Sequence, residues 1–376
     1  MILGVPREIA PGERRVSLIP DSLSRLKGVS VKVEQGAGDS AGIPDSAYTE
    51  KGATIVSDVS SLYSESDVIS KVQPPAPNEA ELFKDGSTLI SFLYPVANLE
   101  TVRKLASRHV TAFAMELMPR ISRAQSMDAL SSQATVSGYK AVIIASDTLP
   151  KLFPMLMTAA GTIPPARVFV VGAGVAGLQA IAVARRLGAV VEAYDVRPIA
   201  KEQVESLGAK FVQIAVQAAD AQTTGGYAKA QSEDFYKKQQ ELLAERASAS
   251  DVVITTALVP GQKAPQLISE EAVKRMRPGS VIVDLAAEQG GNCALTEPGK
   301  TVVKYGVTIH GPFNLPSTMA IQASQLYSRN ITSFLSALIK DGALNIDVKD
   351  DLIRGPLVLN KGEVVHDATK KALGIL

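Results

Sequence analysis

Gly172, Gly174 and Gly177, in VFVVGAGVAGLQ, follow an apolar run at Val168–Val171 and precede a stretch predicted to be helical from near Val175. The run predicts a buried strand, and a strand–glycine turn–helix unit suits the pyrophosphate of a dinucleotide. Gly172 permits the tight turn, Gly174 lets backbone approach the phosphates, and Gly177 lets helix and strand pack closely. The helix start offers free N–H groups and the positive end of a dipole to that anion. A second apolar run ends on Asp195, placed to accept hydrogen bonds from an adenosine ribose and to repel a 2′-phosphate. That chemistry favours NAD(H) over NADP(H).

Two further segments are polar enough for chemistry. Pro119–Gln133, PRISRAQSMDALSSQ, follows a predicted strand at Thr111–Met115 and holds Arg120, Gln125, Asp128 and Ser131. Asp128 and Ser131 are three apart and share a face on a helical turn. The same stretch suits a capped helix start with Ser122 or Ser126 as the cap, and spacing leaves both readings open. The second segment is Gln217–Ser232, QAADAQTTGGYAKAQS, longer than the usual connection of about 2–6 residues. Gly225-Gly226 offers a hinge and Tyr227 an aromatic tip. It reads as a lid over a nucleotide or as a tolerated surface insertion.

Positioning these groups requires alternating strands and helices. Strands are predicted at Ile2–Val5, Val29–Val33, Ala53–Val56, Val68–Lys71, Thr88–Leu93 and Thr111–Met115. Helical segments are predicted between them at Pro20–Leu26, Asp45–Lys51, Asn78–Phe83 and Asn98–Arg108. A helix at Tyr139–Leu149 leads to strands at Val168–Val171, Val190–Tyr194, Phe211–Ile214, Val252–Thr255, Val281–Asp284 and Val307–Ile309. A long helix after Pro316 carries Leu326, Tyr327, Ile331, Phe334, Leu335 and Leu338 on one stripe. The expectation is an α/β fold of two doubly wound, Rossmann-like parallel sheets with a cleft between them. Residues 1–136 plus 320–376 form the first domain, and residues 137–319 form a dinucleotide-binding domain with a mobile loop at 217–232.

Composition excludes several classes. The 376 residues suit two domains or more, and 39 basic against 38 acidic residues call for no nucleic-acid partner. Cys293 stands alone, which rules out an intrachain disulfide, and it reads as a buried structural thiol. The start, MILGVP, lacks a signal peptide's basic and apolar regions. The two most apolar segments, Tyr139–Gly161 and Ser317–Ile339, are interrupted by charged or polar residues and fall short of the ~20 apolar residues a membrane span needs. No metal site is expected.

VPREIAPGERRVSLIP at the start and KVQPP at Lys71–Pro75 resemble alanine dehydrogenase and the NAD(H)-binding component of proton-translocating transhydrogenase. RISRAQSMDALSSQ, TTGGYAKAQSEDFYKKQ, DVRP, ITTALVPGQKAP and DLAAEQGGNCALTEPGK resemble the transhydrogenase family specifically. The resemblance runs essentially end to end. It implies NAD(H) bound here and Si/Re-specific hydride transfer to or from NADP(H) bound on a partner domain. A membrane proton-channel component would couple that exchange to proton translocation. It also implies a homodimer held at the cytoplasmic face of the inner membrane by partner subunits. The family's Arg-Gln-Asp loop carries over to Arg120, Gln125 and Asp128, with Ser131 as a further contact near the nicotinamide. Its mobile-loop tyrosine carries over to Tyr227. Its nucleotide contacts carry over to Val175, Ala176, Gly177, Asp195, Val196, Arg197, Gly226, Gln239 and Leu258.

The residues separate the two relatives. The alanine dehydrogenase family uses a histidine just after the strand corresponding to Leu89–Leu93, where this chain reads SFLYPVAN with Tyr94. His109, His310 and His366 lie elsewhere. Arg15 and Lys71 resemble that family's substrate-binding residues and keep an NAD-dependent amino-acid or keto-acid dehydrogenase as the alternative. Transfer between two nicotinamides needs no general acid, only near-attack placement at about 3–3.5 Å and exclusion of water. On that reading Gln125 positions the partner's nicotinamide ribose, Arg120 and Asp128 hold the nearer nucleotide's nicotinamide end, and Tyr227 closes the lid.

Overall fold

A computed structural model describes residues 1–214, 232–258, 263–340 and 342–375. The chain divides into two compact units, Met1–Gln133 with Pro316–Leu376, and Ala134–Leu315.

The first unit is built on β1 (Ile2–Val5), β2 (Ser30–Glu34), β3 (Thr54–Val56), β4 (Val68–Ser70), β5 (Thr88–Ser91) and β6 (Thr111–Ala114). These lie parallel in the order 3-2-1-4-5-6, with Leu3 opposite both Val31 and Val68. That is the doubly wound order. The C-terminal strand Leu357–Asn360 joins antiparallel to β6 and pairs with Glu363–Val364 at the edge. Neighbouring residues point to opposite faces. Val68, Ile90 and Phe113 pack with Tyr327, Phe334 and Leu335 of the long Ala320–Leu338 helix. Ile69, Leu89 and Ala112 pack on the other face with Tyr63, Phe83 and Leu105. The 59–65 helix between β3 and β4 is not among the expected elements; Asp58 caps it, accepting from the Ser60 and Ser61 N–H groups.

The second unit begins within a helix and then forms a two-stranded hairpin, β7 (Leu156–Thr158) and β8 (Gly161–Ile163), that periodicity does not predict. Its Leu156, Met157 and Ile163 side chains are exposed. The main sheet contains β9 (Arg167–Val171), β10 (Val190–Tyr194), β11 (Lys210–Phe211), β12 (Val252–Thr255), β13 (Val281–Asp284), β14 (Thr301–Lys304) and β15 (Val307–His310). Its order is β11-β10-β9-β12-β13-β15-β14, parallel except for β14 at the edge. β14 is likewise unpredicted, because its TVVK has one face in solvent and lacks a continuous apolar run. By contrast VFVV, VVIT and VIVD are buried throughout, as strands covered on both faces must be. Val168 and Val170 enter one core layer with Ile181 and Val191, while Phe169 and Val171 enter the other with Leu243 and Ile282.

The helix expected at Tyr139–Leu149 begins ten residues earlier and runs Ala129–Thr148. Serine-rich LSSQATVSG hides this start, because its propensity is modest and the helix depends on packing and on a cap. Among the described residues no helix is long and apolar enough to cross a membrane.

Candidate functional site

The glycine turn sits at the carboxyl end of β9, an interior strand of the second unit's sheet between β10 and β12, where doubly wound folds place ligands. Gly172 has φ +98°, and a Cβ there would come within 2.6 Å of the Thr256 hydroxyl. A Cβ on Gly177 would lie 1.8 Å from the Gly172 carbonyl oxygen. Gly174 differs: nothing approaches its Cβ position within 4 Å. Two of the glycines are therefore demanded by packing and the third leaves open space. Gly174 is the N-cap of the Val175–Arg186 helix and contributes no side-chain cap. The N–H groups of Val175, Ala176 and Gly177 open the helix beside that space, an arrangement that can accept an anion.

Two residues outside the glycine motif brace this turn. The Thr256 hydroxyl, just past β12, donates to the Gly172 carbonyl at 3.0 Å. Gly138 lets its helix reach the start of the next, since a Cβ there would meet the Ala176 carbonyl oxygen at 2.1 Å. A glycine inside a helix is the only sequence signal of such a contact.

Asp195 follows β10 and is tied to the same turn. Its Oδ2 accepts the Ala173 N–H at 2.7 Å and Arg197 Nη2 at 2.8 Å. Its Oδ1 accepts the Arg197 N–H at 2.8 Å and Arg197 Nε at 2.9 Å. Val196 between them is half-buried. Gln239 is buried in the Glu233–Ser248 helix and donates to the Tyr194 hydroxyl at 3.0 Å. Burial pushes that phenol up to about 12, although Gln239 pulls the other way. Leu258 is exposed just past β12. Gly226, Tyr227 and all of the 217–232 loop but Ser232 lie outside the described residues.

A buried carboxylate organises the neighbouring loops. Asp284, at the end of β13, accepts from the Thr255 and Thr296 hydroxyls and from the N–H groups of Ala286, Asn292 and Cys293. Asn292 in turn clasps Ala257, accepting its N–H and donating to its carbonyl, each at 2.9 Å. Asp284 ends an apolar strand as Asp195 does, so its position is readable in the sequence but its partners are not. Cys293 is buried, and burial pushes its thiol up to about 11. His310 lies 2.9 Å from both the Thr148 and Thr301 hydroxyls, a bridging role within this unit.

In the first unit the polar set follows β6. Ser122–Met127 forms a 3₁₀ turn, and Asp128 breaks it to begin the Ala129–Thr148 helix. Asp128 itself is the cap: it accepts the Ser131 N–H at 2.9 Å and the Ser131 hydroxyl at 2.6 Å. Neither Ser122 nor Ser126 takes that role; the Ser126 carbonyl instead accepts Asn330 Nδ2 at 2.9 Å. Asn330 also accepts the Ser132 hydroxyl, so the long C-terminal helix pins this segment. Asp128 and Ser131 are thus brought together and half-buried, while Arg120 and Gln125 are exposed on the same stretch.

Arg15 and Lys71 are deeply buried and internally matched. Arg15 donates to both Glu13 oxygens and to Gln133, and Lys71 donates to Glu79 at 2.7 Å with Glu8 at 3.7 Å. Burial opposes ionisation of Glu13, yet Arg15 and Gln73 outweigh it and hold the carboxyl at about 2. Tyr94, after β5, adopts φ +44° and is partly exposed, with Phe92 stacked 5.8 Å away. Glu116, after β6, accepts the N–H groups of Leu93 and Tyr94. No cluster of metal-ligating side chains occurs among the described residues.

The family described as Alanine dehydrogenase/PNT matches twice, its N-terminal domain over residues 4–137 and its C-terminal domain over residues 141–367. The chain belongs to this family. Within it the transhydrogenase side is nearer. An NAD(P) transhydrogenase subunit alpha chain of Rhodospirillum rubrum is 51% identical over 98% of both chains. The solved structure of a transhydrogenase from Sinorhizobium meliloti superposes with a TM-score of 0.85, at 44% identity over 98% of this chain and all of that one. Alanine dehydrogenase of Bacillus subtilis is more distant, at 29% identity over all of this chain and 95% of that one. Both branches are oxidoreductases, and identity places this chain with the transhydrogenase alpha subunits.

Proposed function

We propose that the second unit binds NAD(H) as a reactant and exchanges hydride directly with NADP(H) held on a separate domain. A membrane component of the same assembly would couple that exchange to proton translocation. The observation that carries the reading is the near-full-length identity to a transhydrogenase subunit. The open cradle at Gly174, with Asp195 fixed beside it, supports it from the geometry. NAD(H) fits that cradle: the pyrophosphate would take the N–H groups of Val175–Gly177, and the adenosine ribose would meet Asp195. Gln239 and Leu258 would line the same nucleotide, with Gly226 as a further contact.

Hydride passes between two nicotinamide carbons, so no residue needs to move a proton there. The protein's task is to orient and to keep water out. Gln125 would meet the partner's nucleotide, Arg120, Asp128 and Ser131 would hold the nicotinamide end of NAD(H), and Tyr227 would close over it. The Asp128–Ser131 bond supports this role by fixing the carboxylate's direction. A homodimer, Si/Re stereochemistry and attachment to the cytoplasmic face of the inner membrane through partner subunits belong to the same proposal.

The test is reconstitution. The chain mixed with an NADP(H)-binding domain should transfer hydride from NADH to an NADP⁺ analogue, while each protein alone should not. Turnover of pyruvate, ammonia and NADH by the chain alone would instead favour the dehydrogenase reading, for which the retained Arg15 and Lys71 speak. Tyr94 in place of a histidine speaks against it.

A further inference from the structure

A carboxylate has two oxygens and about four lone-pair positions. At Asp195 four donors already fill them: the N–H groups of Ala173 and Arg197, and Nε and Nη2 of Arg197. Two of these are backbone, Ala173 N–H in the glycine turn and Arg197 N–H in the turn after β10, and neither can leave without remodelling its turn. The other two belong to the guanidinium, whose side chain is 20% exposed against 6% for Asp195. A ribose hydroxyl reaching Asp195 must therefore displace guanidinium donors, and the displaced cation, tethered two residues along the chain, stays beside the carboxylate that holds the ribose. Such a cation, planar and forked, is the usual partner of a 2′-phosphate.

We infer that Arg197 is a latent 2′-phosphate anchor neutralised by Asp195, so that the pair, and not the aspartate alone, sets nucleotide choice. The inference rests on the proposal that the second unit binds NAD(H) at this turn. With Asp195 ionised, a 2′-phosphate dianion meets a carboxylate and a guanidinium that is already matched. Removing the aspartate's charge takes away the guanidinium's carboxylate partner, and a 2′-phosphate can replace it bidentately.

The test is fluorescence titration of the full chain with NADH and with NADPH, with 5′-AMP and adenosine 2′,5′-bisphosphate as competitors that isolate the adenosine end. In Asp195→Asn the Kd for NADPH should fall about tenfold or more, the scale of one charge-assisted hydrogen bond. Adenosine 2′,5′-bisphosphate should gain in parallel and 5′-AMP should not. Added Arg197→Gln should abolish the gain, and high salt should erode it. No gain in either Asp195→Asn or Asp195→Ser overturns the inference, as does a gain that survives Arg197→Gln. Should both aspartate variants unfold, Arg197→Gln alone decides: the unbalanced Asp195 should then raise the ratio of NADPH to NADH dissociation constants about tenfold, and an unchanged ratio overturns the inference. The underlying proposal fails separately, if the unaltered chain binds NADH no more tightly than NADPH or binds neither.

Discussion

Glu116 is the carboxyl in the first unit whose setting is least ordinary. Burial raises it to about 7, with the Leu93 and Tyr94 N–H groups pulling the other way. Its folded pKa lies above the ordinary value of 4.5, so protonation favours the folded chain. The stability it contributes is complete below about pH 4.5 and is lost as pH rises through 7. The unfolding temperature should therefore drop more steeply between about pH 5 and 8 in the native chain than in Glu116→Gln; parallel curves would remove this account. Glu13 has the opposite sign: held at about 2, it stabilises above pH 4.5 and ceases to as pH falls toward 2. Gln125, exposed beside the Asp128 cap, should matter for rate and not for folding. Gln125→Asn should slow hydride exchange in stopped-flow mixing by up to about a hundredfold, since misplacement by about 1 Å costs that much. An unchanged rate constant would sink its proposed role. At this scale, roles set by neighbours in sequence are readable, as with the positive φ at Gly172. Roles set by distant contacts are not. Thr256 and Gly138 brace the turn from other elements.

The strand–turn–helix element at 167–186 separates packing from binding in adjacent glycines. Gly177→Ala would drive a methyl into the Gly172 carbonyl, so the unfolding free energy should drop by about 1–3 kcal/mol and NADH binding should weaken with it. Gly174→Ala meets only open space, so unfolding should be nearly unchanged while NADH binding weakens, because the methyl occupies the phosphates' approach. Equal effects of the two changes on stability would contradict this division. At the carboxyl end of β13 in the same sheet, Asp284→Ala strands the two hydroxyl and three backbone donors that the carboxylate serves. Urea unfolding should report a loss of roughly 3 kcal/mol or more, since each unsatisfied buried donor costs about 1–3 kcal/mol. The parallel strands are legible because each is an apolar run buried on both faces. β14 and the β7–β8 hairpin escape because their residues face solvent and carry no such run.

At the scale of the whole chain, two sheets share the strand order of a doubly wound fold, and the C-terminal segment returns to complete the first. The alternation of elements announces that architecture, because a parallel pair requires a crossover between its strands. The antiparallel closure by Leu357–Asn360 is not announced, since a late strand gives no local sign of the edge it will join. One property of the chain then turns a structural detail into an instrument. Its single thiol, Cys293, is buried under the Asp284 network that also secures the loop after β12. A maleimide or disulfide reagent can reach it only when that region opens, so labelling kinetics clock the opening of the second unit without any engineered probe. NADH should slow labelling by a factor that grows with its concentration relative to its Kd, and NADPH at equal concentration should protect far less. One native sulfur would thereby report, mutation by mutation, on which dinucleotide the fold closes around.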